Sequence, residues 1–252
     1  MEVHHHPHVE KKNLKEYFLE FLMIFLAVTL GFIAENIRED VTEHQHAKIY
    51  AASMIQDLKA DTAQLNSYNK YYVYAANNID SFMQLLAGND PQNIPSGKLY
   101  YYGLFGGAHR NFIPNDATFQ QMKSSGSLNY FKPQIAKDVA KYDLLCRTIQ
   151  SYDEMNLNLY VEVRKARAMI FSFRYNEVAN DVYMKFMQSP YQAVVDSFIQ
   201  TNPPLLTYDK TLFNEYIELV RSRFIRLYDV NISDSLLKQA NVVLNELNKE
   251  YH

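Results

Sequence analysis

Few residues in this chain could do chemistry by type and spacing. His4, His5, His6 and His8 form the one cluster with metal-ligand character, since neutral imidazoles bind zinc, nickel or copper and an arm can bring two or three to one ion. Pro7 interrupts that run, and the arm also reads as a contact for a partner or membrane surface, or as a solvated tail. Lys123, Ser124, Ser125 and Gly126 could form a small anion-binding nest of hydroxyls and successive N–H groups. The favoured alternative there is a helix C-terminus with Gly126 in the left-handed position.

Tyr68, Tyr71 and Tyr74, with Tyr101 and Phe105 further on, make an aromatic set that could grip a partner helix or a small ligand through amphipathic rings. Arg164, Lys165 and Arg167, and likewise Arg221, Arg223 and Arg226, read as solvated helix faces rather than anion clamps. His44 and His46, two apart, fall on different sides of a helix and make no chelate. Cys146 falls on an apolar stripe and reads as a buried small hydrophobe rather than a reactive thiol. No nucleophile, base and orienting group can be assembled, so the chain is read as non-enzymatic and without a cofactor.

These residues must be positioned by helices. The 252 residues include 20 Tyr and 15 Phe but no Trp and only 7 Gly, a composition of aromatic packing on helices rather than of turn-rich sheets. A net charge of −3 argues against nucleic acid as a partner. A single cysteine excludes an intrachain disulfide and leaves the redox compartment open.

Residues 17–37, YFLEFLMIFLAVTLGFIAENI, form the only stretch apolar and long enough to cross a bilayer, reaching ~31 Å as a helix. A cleaved signal fits less well, because bulky Phe32 sits where a small residue is wanted, and Glu20 and Glu35 keep a buried core helix open as an alternative. An uncleaved anchor is the reading adopted. Lys11, Lys12 and Lys15 precede the span and Arg38 follows it, a bias that places the N-terminus inside. Glu20 is then interfacial or a contact to a neighbour, and Ala27 and Gly31 form a small-residue pair that lets two helices approach.

The predicted organisation is a His-rich arm over 1–12, an anchor helix over 13–38 opened by Asn13 and Glu16 as a capping box, and a helical domain over 39–252. The anchor continues as a stalk helix to about residue 87. A seven-residue repeat through Ala51, Leu58, Leu65, Tyr72, Ile79 and Leu86 marks its packing seam, toward another helix of the same domain or toward a second copy. Gly88 supplies a left-handed cap, and 88–115 reads as a loop. A short helix ends near Ser124, Pro133 opens a second long helix, and further helices follow over 177–188, 191–200, 208–228 and 233–251. The fold class expected is all-α, an antiparallel bundle built around two long helices.

Two segments, 15–40 (KEYFLEFLMIFLAVTLGFIAENIRED) and 118–128 (TFQQMKSSGSL), resemble stretches of a bacterial family of single-pass membrane proteins to which no activity is assigned. Met122 stands where that family usually has leucine. The resemblance implies an inner-membrane address with the main domain in the periplasm. Together these readings point to a scaffold, sensor or accessory subunit that touches the lipid bilayer and either its own copies or other membrane-complex subunits. The alternative is a periplasmic small-ligand module built on the Tyr-rich helix and the aromatic segment.

Overall fold

A computed structural model describes residues 13–228 and 231–251, the side chains of 224–228 and 231 excepted. Every regular element among them is helical, in the order α1 (Leu14–Leu86), α2 (Ser96–Gly103), α3 (Ala117–Ser125), α4 (Pro133–Ile170), α5 (Phe173–Gln188), α6 (Gln192–Ile199), α7 (Lys210–Tyr228) and α8 (Asn231–Tyr251). The 73 residues of α1 contain no proline and run ~110 Å. The Asn13 backbone N–H donates to Glu16 Oε2 at 3.2 Å and closes its first turn.

The apolar window of α1 has none of its residues buried, whereas from Ala47 onward the same helix enters the bundle. The alternative of a core helix therefore does not hold for this segment. The heptad seam resolves in favour of intramolecular packing: Ala51, Leu58, Leu65, Tyr72 and Ile79 are buried against other helices of the chain.

Two apolar clusters lie along the bundle. The first joins α1 from Ala47 to Tyr72 with Phe119, Met122, the α4 stripe from Ile135 to Ile149 and Leu236 to Leu247 of α8. The second joins Ala75 to Phe82 with α2, Val163 to Phe171 and residues of α5, α6 and α7. Both long helices thus pass from the first cluster to the second, so α1 and α4 run parallel to each other, and the antiparallel packing of the bundle lies between each of them and the helices that descend beside them. The descent is made by α7 and α8, whose ends are tied by Lys210 to Asp90 at 2.7 Å and by Glu250 to Lys132 at 2.6 Å.

Parallel helices need a long return between them. That return is residues 88–132, and its first part corrects the predicted loop over 88–115. Pro91–Asn93 and Leu104–Gly107 are 3-10 turns flanking α2, which is buried through Leu99, Tyr100 and Tyr101. Only the stretch after Ala108 is an extended strap, and α1 side chains stitch it down. The Tyr72 hydroxyl donates to the Arg110 carbonyl and accepts its N–H, both at 2.9 Å. Gln64 accepts from Ile113 N at 2.9 Å, and Asp61 accepts from Asn115 N at 2.9 Å. Gly88 is not left-handed; among the described residues only Gly126 is, with φ +74°.

Candidate functional site

Helix α3 ends at Gly126 as the favoured reading of residues 123–126 required, and the hydroxyls of an anion nest are spent internally. Ser124 and Ser125 donate to the Gln121 carbonyl at 3.0 and 2.8 Å, and Ser125 also meets Ser127 Oγ at 2.7 Å. Lys123, Ser124, Ser125 and Gly126 therefore form a helix stop rather than a ligand site.

The aromatic set is mostly core, which corrects its reading as a surface. Tyr68 donates to Asp153 Oδ1 at 3.2 Å, and Tyr74 meets the Tyr101 hydroxyl at 2.7 Å while stacking on Tyr183 and Phe186. Tyr101 and Phe105 are 1% and 2% exposed, so neither can present itself to a partner protein. Tyr71 and Phe105 do reach the wall of a cavity of about 310 Å³ between α1, α4 and α5. Arg164 and Arg167 line it from α4, Asn176, Asn180 and Tyr183 from α5.

The two arginine groups depart from solvated faces at one residue each. Arg167 donates from Nη2 to Asn176 Oδ1 at 2.6 Å, and its Nε is buried with no partner. Arg223 is 2% exposed; Nη1 donates to the Gly106 carbonyl at 2.9 Å and Nη2 to the Ala108 carbonyl, while its Nε has no partner. Burial holds both guanidinium groups below their ordinary pKa. Among the described residues no carboxylate lies within ion-pair distance of Arg164, Arg167 or Arg223. Rings offset part of the desolvation: Arg167 lies 5.6 Å from the Phe171 centroid and Arg223 5.4 Å from that of Tyr160.

Ala27 and Gly31 are exposed on the apolar stretch of α1, and Glu20 is partly exposed there. A Cβ added at Gly31 would meet nothing within 4 Å. His44 and His46 diverge as their spacing requires, His44 toward Tyr251 and His46 toward Tyr130. Cys146 is buried at 4% exposure. His4, His5, His6 and His8, with Lys11 and Lys12, lie outside the described residues, as does the Arg226 side chain. No group of three His, Cys, Asp or Glu side chains able to hold a metal occurs among the described residues.

No family model, curated protein or solved structure matches this chain. Its function must therefore be argued from its own geometry. Asp61, Asp153, Arg167 and Arg223 are the polar residues that sequence reasoning passed over as individuals. Asp61 alone carried a signal, lying three residues after Leu58 and four before Leu65 on one helix face.

Proposed function

We propose that the chain is a single-pass protein of a bacterial inner membrane, with its N-terminus in the cytoplasm and its helical domain in the periplasm. In this reading it acts without catalysis, as a scaffold, sensor or accessory subunit, through helix-mediated contacts with its own copies or with other subunits of a membrane complex. The supporting observation is the apolar window of α1, 0% buried although the same helix is a core element thirty residues later. Phe18, Phe21, Ile24, Phe25 and Leu26 are each about half exposed or more, and leaving such side chains in water is unfavourable by roughly 1.5–3 kcal/mol apiece relative to an apolar surrounding. A bilayer supplies that surrounding for all of them at once.

Integral insertion and orientation are tested together. In a Cys146→Ala background, cysteine is introduced at Glu16 or at Asn66, both exposed. The protein should resist carbonate extraction, and a membrane-impermeant maleimide should label N66C in intact spheroplasts but E16C only after lysis. Extraction into the soluble fraction would remove the anchor, and reversed labelling would invert the topology. Native mass measurement of the protein extracted from its own membranes then reads the assembly: a homo-oligomer or a stoichiometric set of foreign chains supports the scaffold role, and a partnerless monomer contradicts it.

A further inference from the structure

The cavity between α1, α4 and α5 has a charge pattern that the fold does not neutralise. Arg164 and Arg167 line it, Arg110 lies 4.2 Å over the ring of the lining residue Tyr71, and Arg223 donates to the carbonyls of Gly106 and of the lining residue Ala108. Against these four guanidinium groups the lining offers one carboxylate, Glu177, which forms no ion pair with them. Arg110 and Arg164 are exposed, whereas burying Arg167 and Arg223 without a counter-charge is unfavourable, and rings and carbonyls offset only part of it. Arg167 keeps a buried Nε–H with no acceptor, beside a cavity that its own side chain lines.

We propose that this cavity binds a small soluble oxyanion, a carboxylate or phosphate monoester carrying an apolar or aromatic part. The oxyanion accepts from the Arg164 and Arg167 guanidinium groups that line the cavity, whose planar forks match carboxylate and phosphate oxygens. Phe173, 78% exposed on the rim, covers the apolar part. Two further features narrow the class. A volume of about 310 Å³ is at the small end of ligand pockets, and Glu177 opposes a second charged group, so a ligand with one oxyanion is preferred over a polyanion. Tyr71 lies 34 residues beyond Ile37 on one helix, ~50 Å along its axis, which takes the cavity away from lipid headgroups. That choice of a soluble source alone rests on the membrane reading above.

The test is calorimetric titration of the full chain in phosphatidylcholine nanodiscs at constant ionic strength, with phenyl phosphate as probe and phenol as its uncharged counterpart. Phenyl phosphate should bind saturably and phenol should not. Arg164→Gln and Asn180→Asp, both at positions outside the core, should each weaken phenyl phosphate by about tenfold or more. Absence of saturable binding, or binding undiminished in both variants, overturns the site. Competition by phosphatidylglycerol in the nanodisc overturns the soluble source and assigns the anion to a lipid. None of these outcomes depends on carbonate extraction, so failure of the site and failure of the anchor are distinguishable.

Discussion

The Tyr142 hydroxyl donates to the Asp61 carboxylate at 2.6 Å and joins the two long helices through a fully buried acid. Asn115 adds two donors to the same carboxylate, its N–H at 2.9 Å and its Nδ2 at 2.7 Å. One side chain of α1 therefore holds both α4 and the end of the strap. Tyr142→Phe should lower stability by about 1.5–3 kcal/mol, the range for a hydrogen bond to a charged group. Asp61→Ala should be more damaging, because three donors lose one acceptor. Urea melts followed by far-ultraviolet circular dichroism should rank the variants in that order.

Asp153 and His109 should give stability opposite dependences on pH. Burial raises Asp153 above its ordinary 3.8, against the opposing effect of the Phe112 N–H and the Tyr68 hydroxyl that donate to it. Its contribution to stability is thus present below 3.8 and lost as pH rises through the folded value. Asp153→Asn should melt progressively higher than the parent as pH rises through that window.

Burial, and then the charge of Arg223, lower His109 below its ordinary 6.5. The unfolded chain takes up the proton first, so this contribution is present above 6.5 and lost as pH falls through the folded value. His109→Phe, which keeps a ring against Tyr160, should flatten the acid side of a plot of Tm against pH.

Cys146 is the only cysteine and is 4% exposed, with burial pushing its thiol up to about 12. A disulfide reagent needs the thiolate and a path to it. At pH 8 the native protein should release almost no thionitrobenzoate from Ellman's reagent, whereas protein in denaturant should release one equivalent promptly. Rapid labelling of the native protein would contradict the packing of α4.

Gly97 is where α2 presses on the connection after α6, donating its N–H to the Thr201 carbonyl at 2.9 Å. A Cβ there would run into the Phe198 carbonyl oxygen and stand 2.8 Å from that of Thr201. Both are backbone atoms and cannot rotate aside. Gly97→Ala should lower stability by about 1–3 kcal/mol or more, whereas Gly88→Ala, with nothing within 4 Å, should be nearly silent by the same melt.

The helical fold was legible because the breakers mean what they say at most places. Pro133 opens α4, Gly126 closes α3, and the Ser189-Pro190 pair separates α5 from α6. Residues 96–107 failed for the same signal: Gly97, Gly103 and Gly106 read as loop, yet each admits close packing, against the Thr201 carbonyl, the Phe82 and Phe171 rings, and Tyr216. The aromatic set misled because Tyr68, Tyr74 and Tyr101 find polar partners inside, Tyr68 at Asp153, 85 residues away, and Tyr74 and Tyr101 at each other. Helix direction was hidden too, since it depends on where the return segment goes. The arginine-lined cavity was half visible as a cluster of basic residues. Its depth was not, because the α5 residues facing Arg167 come from a separate helix with no motif of its own.

The unbroken course of α1 also fixes an azimuth. At about 100° per residue, the twenty positions between Ala27 and Ala47 turn the helix through about 200° beyond whole turns. The small-residue face of the apolar stretch therefore looks away from the side on which Ala47 meets the bundle. Whatever comes to rest on Ala27 and Gly31 would find the bundle on the far side, and one residue inserted between 38 and 46 would swing it about 100° toward the newcomer.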